Sequence, residues 1–210
     1  MRSTRFRALE LSQIRTGLWR WTAPHPAWKP AEAGSSGEGD WPREVGCVLY
    51  EASGVAVFID PLLPDSDEQL FWEWADARCE GRSVAVLQTI HFHRRSCPEV
   101  TARYGAARVP PPGLVDALEF PDAGETMFWI AELQALVPGD RLLGAEDGGG
   151  TLRLCPQSWM RYLAPPPGAA ELAAMLAPLL ELDCEAVLVS HGEPVLSGGA
   201  AAIARALETA

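Results

Sequence analysis

The run Ser83–Ile90 (SVAVLQTI) passes without a break into His91-Phe92-His93-Arg94-Arg95-Ser96. A mostly apolar run of strand length suits a central strand buried on both faces. The chain must therefore build cover on two sides of a strand that delivers a pair of imidazoles at its end. A second buried strand is expected at Ala186–Ser190, ending at His191-Gly192.

Around these two strands the pattern alternates. Gly46–Glu51 (GCVLYE) and Val55–Asp60 (VAVFID) flank Ala-Ser-Gly and predict a hairpin. Asp65–Cys79 carries Leu70, Phe71, Trp74, Ala75 and Ala77 near helical spacing. A short helix is expected at Pro98–Tyr104, stopped by Gly105, and further strands at Asp116–Phe120, Thr126–Ala131, Ala135–Val137 and Thr151–Leu154. Ala169–Leu182 reads as one amphipathic helix and Gly199–Leu207 as a closing one. Early hairpins followed by alternating strand and helix predict a layered α/β domain spanning 1–210. Pro24 to Trp41, rich in Pro, Gly and Ser, is expected as an exposed loop.

Composition narrows the partners. A formal charge of −11 would repel polyphosphate, so no nucleic-acid partner is expected. No apolar run approaches the ~20 residues of a membrane span, and the basic N-terminus lacks the apolar stretch of a secretory signal. The five cysteines are scattered without a CxxC pair, which fits reduced thiols and a cytoplasmic location. A small-molecule substrate is the partner left open.

Only four histidines are present, His25, His91, His93 and His191. Residues two apart on an extended segment face the same way, so His91 and His93 are expected to present their rings to one point. His191 and Asp140, in Leu136-Val-Pro-Gly-Asp140, also end apolar runs. In sheets with parallel strands, sites form beyond the strands' carboxyl ends. Taken singly, Pro-Gly-Asp is a turn, Ser-His-Gly is another, and His25 between two prolines is a surface or rim residue. The tryptophans flanking the 24–41 loop suit either a clamp on an apolar or planar substrate or the packing of a sheet edge.

In chain order, Ile59-Asp60-Pro61, His91-Phe-His93-Arg-Arg95-Ser96, Gly124-Glu125-Thr126, Gly139-Asp140 and Ser190-His191-Gly192 resemble the metallo-β-lactamase superfamily. That family has a strand ending in Asp, then HxHxDH, Gly-His-Thr, Gly-Asp and a late His-Gly. The resemblance runs from about Val45 to about Leu196 and implies an α/β protein of the αββα four-layer sandwich type. It also implies that His91, His93, Glu125 (in place of a histidine), Asp140 and His191 hold metal, and that Asp60 is a buried support for the motif loop.

The departures are specific. Arg95 and Ser96 stand where the family has the Asp-His pair that binds the second metal. A guanidinium about 4 Å from a divalent cation costs roughly 8 kcal/mol at an effective dielectric of about 20, and arginine cannot shed its proton. An inward Arg95, ion-paired to Asp140, would therefore leave one divalent cation (zinc first, manganese or iron also acceptable) or none. The implied activity is hydrolysis of an ester, thioester, amide or phosphoester by metal-bound water, with Asp140 orienting the water and His191 binding the leaving group or substrate. The alternative is a binding or partner module that keeps the scaffold without catalysis.

Overall fold

A computed structural model describes residues 11–30, 41–145 and 150–210. Strands β1 (Leu11–Arg15), β2 (Leu18–Pro24), β3 (Glu44–Ala52), β4 (Val55–Ile59) and β5 (Ser83–Leu87) form a five-stranded sheet in that order. All its pairs are antiparallel except β4 with β5. The parallel step is bridged by α1 (Glu68–Cys79), and α2 (Cys97–Tyr104) follows β5. β6 (Asp116–Phe120), β7 (Glu125–Ile130) and β8 (Ala135–Val137) belong to a second sheet. β9 (Leu142–Gly144) pairs with β10 (Leu152–Leu154). After α3 (Ala169–Leu176), β11 (Ala186–Val187) adds to the second sheet parallel to β8, and α4 (Gly199–Glu208) closes the chain.

Period-two burial sorts the strand residues into layers. Along β3 to β5, Val45, Cys47, Leu49, Ala56, Phe58, Val84 and Val86 pack with Phe71, Ala75 and Val100 of the first two helices. Their alternates Val48, Tyr50, Val57, Ile59, Ala85 and Leu87 pack against Phe128, Ile130, Ala135 and Val137 of the second sheet and Leu188 just after β11. The opposite face of that sheet, with Met127, Leu136 and Val187, meets Leu172, Leu176, Ile203 and Ala206 of α3 and α4. Helix, sheet, sheet, helix is the αββα order.

Local chemistry explains the element ends. α1 buries Phe71, Ala75 and Cys79, a stripe at four-residue spacing, and leaves Leu70 exposed. Gly105 closes α2 in the left-handed region at φ 62°. The helix expected at Ala169–Leu182 is shorter: Pro178 has no N–H to continue an α-helix, and residues Ala177–Glu181 tighten into a 3-10 helix. Within the expected 24–41 loop, β2 runs through Pro24, and positions 31–40 lie outside the described residues. All five cysteines are buried and unpaired. Among the described residues, no helix is long and apolar enough to cross a membrane.

The two parallel pairs have one consequence for function. Asp60 and Thr89 follow the ends of β4 and β5, while Asp140 and His191 follow the ends of β8 and β11. Both halves of the sandwich therefore discharge their loops at one edge. Gly192 makes this junction possible, because at φ 84° a Cβ there would stand 2.2 Å from the Gly144 carbonyl.

Candidate metal centre

His93, Asp140 and His191 converge at that edge. One donor atom from each lies within 4.8 Å of the others, the one group of three or more such residues among those described. His93 Nε2 is 3.0 Å and His191 Nε2 3.3 Å from Asp140 Oδ1.

His93 is placed by its surroundings. Its Nδ1 lies 2.7 Å from Asp60 Oδ2. Asp60 also accepts hydrogen bonds from the Thr89 amide at 2.9 Å and from the Thr89 hydroxyl. Asp60 thus ties the end of β4 to the loop after β5 and turns the His93 ring so that Nε2 faces Asp140. Burial and the nearby Arg95 both oppose protonation of His93, but the carboxylates of Asp140 and Asp60 outweigh them and push its pKa up to about 9. Asp140, despite its burial, is held well below the usual carboxylate range by His93 and His191. Burial lowers the pKa of His191 against the pull of Asp140. The His191 ring sits between two indole edges, Trp159 at 5.2 Å and Trp41 at 5.7 Å.

The structure corrects the expectation that both imidazoles of HFH share a point. His91–Arg94 is a 3-10 helix, not an extended segment. With about three residues per turn, side chains two apart diverge. His93 is buried, whereas His91 is exposed and lies edge-on to Tyr162 at 5.0 Å.

Glu125 is also elsewhere. Its carboxylate accepts the backbone N–H groups of Gly139, Asp140 and Arg141 at 2.8, 2.7 and 3.0 Å, with Arg141 Nε 4.0 Å away. Burial pushes the Glu125 carboxyl up to about 7, against Arg141 and those amides. It clamps the loop that carries Asp140. Gly139 is required in this clamp, since a Cβ would come within 2.6 Å of Thr89 Oγ1 and 3.1 Å of Glu125 Oε2.

Arg95 does turn inward, but not to Asp140 as expected. Its NH1 donates to the carbonyls of Gly46 and Asp60 at 2.8 and 3.0 Å, and its NH2 donates to the Ser190 hydroxyl. Three fixed acceptors hold it even though its backbone sits at φ 35°, a costly conformation for a residue with a side chain. Ser96 faces the neighbouring loop: its hydroxyl accepts from Leu63 N at 3.0 Å and its amide donates to Pro61 O. His25 lines the rim, edge-on to Trp41 at 5.1 Å, and burial lowers its pKa.

The donor set fits a divalent cation. Asp140 Oδ1 is buried between two imidazole nitrogens, at 3.0 and 3.3 Å, an arrangement that a cation shared by the three donors also satisfies. An oxygen so placed is costly without a positive group in its lone-pair directions. Two imidazoles and one carboxylate with space on the cleft side suit zinc, manganese or iron. The cluster opens into a cleft of about 540 Å³ that Trp41, Phe92, Trp159, Arg161 and Tyr162 help to line. Sequence reasoning did not single out Phe92, Trp159, Arg161, Tyr162 or the fully buried Arg141. Only the position of Phe92 inside HFH carried any signal for them.

This architecture is the metallo-β-lactamase fold. The chain is similar to a metallo-β-lactamase from Pontibacter korlensis, with 13% identity and a TM-score of 0.60 over 95% of this chain and 97% of that one. It is also similar to a metallo-β-lactamase from Erythrobacter litoralis, with 14% identity, a TM-score of 0.59 and 97% and 92% of the two chains covered. A third similar structure is the DIM-1 metallo-β-lactamase, with 12% identity and a TM-score of 0.57 over 96% and 97%. No family model matches the sequence, and no curated protein matches it.

Proposed function

We propose that this chain is a hydrolase built on a single divalent cation held by His93, Asp140 and His191. The observation that carries this reading is the convergence of one buried carboxylate oxygen and two imidazole nitrogens within 4.8 Å of one another. A cation bound there would polarise a carbonyl or phosphoryl oxygen and acidify water. Asp140 and the two imidazoles form the cation's seat, and Asp60 fixes the tautomer and angle of His93. Arg95 supplies a fixed positive charge that disfavours a second cation. Its NH1 and NH2 are committed to Gly46, Asp60 and Ser190.

The test is turnover across a panel of activated esters, thioesters, amides and phosphodiesters. Activity on at least one class is expected to vanish after chelation and to return with about one equivalent of zinc. Activity that persists in rigorously chelated protein contradicts the reading.

A further expected result concerns Asp60. Asp60→Asn removes one anionic partner from His93 while preserving shape, and metal affinity is expected to drop about 10- to 100-fold. Isothermal titration with zinc measures it, and an unchanged affinity would show that Asp60 serves the fold alone.

A further inference from the structure

The cleft beside the cluster carries a chemical preference of its own. Phe92 is 53% exposed and Tyr162 37%, and their rings pack edge to face at 5.1 Å. The other large exposed apolar residues among those described, Leu70, Val109, Leu180 and Leu196, lie outside this cleft. Trp41 and Trp159 bring two more rings, both with edges on His191. Four aromatic side chains thus surround the approach to His93, Asp140 and His191. Exposed rings beside a concave site present faces and edges that a flat partner covers better than a bulky aliphatic one.

Charge settles what that flat group carries. Aromatic cages also attract cations, but two guanidiniums, Arg95 and Arg161, line this cleft, and among the described residues Asp140 is the one acidic residue lining it. Asp140 is already engaged by His93 and His191. A positively charged ligand would therefore meet net repulsion.

We propose that the cleft selects substrates bearing a flat aromatic group without positive charge, held among Phe92, Tyr162, Trp41 and Trp159. This rests on the hydrolase reading for the word substrate, but the binding preference belongs to the cleft and can be measured without turnover.

Calorimetric titration with three probes tests it: 2-naphthoate, cyclohexanecarboxylate and 2-naphthylmethylammonium, each against metal-free and zinc-loaded protein. 2-Naphthoate is expected to bind at least about tenfold more tightly than cyclohexanecarboxylate in both forms, and more tightly than the ammonium probe. Phe92→Ala, a change at an exposed side chain, is expected to shrink the gap between the two carboxylates to under about threefold. Equal affinity for the two carboxylates, or a naphthoate affinity indifferent to Phe92→Ala, overturns the proposal. Ammonium binding as tight as naphthoate overturns its charge preference. Zinc uptake without discrimination between rings would sink the aromatic cleft and leave the hydrolase reading standing. Discrimination without zinc uptake would do the reverse.

Discussion

Replacing His93 with alanine is expected to abolish metal uptake and turnover together, whereas replacing His91 is expected to change neither. The two residues are equivalent in the HFH motif and opposite in space. His93 Nε2 is 3.0 Å from Asp140 Oδ1 and its Nδ1 is locked by Asp60, while His91 is exposed beside Tyr162. Loss of one donor from a set of three should reduce zinc content from about one equivalent to below about 0.1. The fold should survive, because Asp60 keeps both hydrogen bonds from Thr89; a stability loss of about 1–3 kcal/mol is expected from the missing partner. His91→Ala should stay within about 0.5 kcal/mol of the parent. Elemental analysis and thermal unfolding of both variants check this. Metal loss in the His91 variant and not in the His93 variant would invert the assignment.

The second large effect is on stability. Arg141 is fully buried. Its Nε donates to Ala123 O at 2.7 Å, its NH2 to the Tyr162 hydroxyl, and its NH1 reaches Cys155 Sγ at 3.6 Å. Arg141→Ala would empty this space and leave the buried Glu125 carboxylate without its nearby cation. Removing one partner from such a pair costs about 3–5 kcal/mol, or roughly 6–20 °C in Tm for a chain of this size. Glu125→Gln presents an amide donor to three backbone donors and is expected to cost about 1–3 kcal/mol. Because the two side chains share one buried network, the double variant Glu125→Gln/Arg141→Ala should lose less than the sum of the single changes. Strict additivity in denaturant unfolding would show that the two groups are not coupled.

Much of the frame is legible in the sequence because burial imposes a period. β3, β4 and β5 are Val-rich runs with both faces covered, and β6 and β8 coincide with the runs Asp116–Phe120 and Ala135–Val137. β1 has no such signature, since only part of Leu11–Arg15 is covered and no residue in it is fully buried. β9 spans three residues after the Asp140 turn, too few to establish a period.

The candidate site divides along the same line. Asp60, Asp140 and His191 sit at the ends of apolar runs, so topology alone brings them to one edge. His91 misleads because an apolar strand followed by HFH reads as extended, while the chain turns into a 3-10 helix after Ile90. Glu125 misleads for a different reason. A carboxylate at the start of a strand looks the same in sequence whether it holds a cation or three backbone amides, and the amides belong to residues 139–141. Arg95 is intermediate: its identity signals a lost second cation, but its acceptors are two carbonyls and a hydroxyl, which no motif records.

Metal stoichiometry tests the central claim most directly. Purified protein, reconstituted with excess zinc and desalted, is expected to retain about one equivalent, and the double change Arg95→Asp/Ser96→His is expected to raise it toward two by restoring the missing donors. Two equivalents in the unaltered chain, or fewer than about 0.2 after reconstitution, would contradict a single-cation centre on His93, Asp140 and His191.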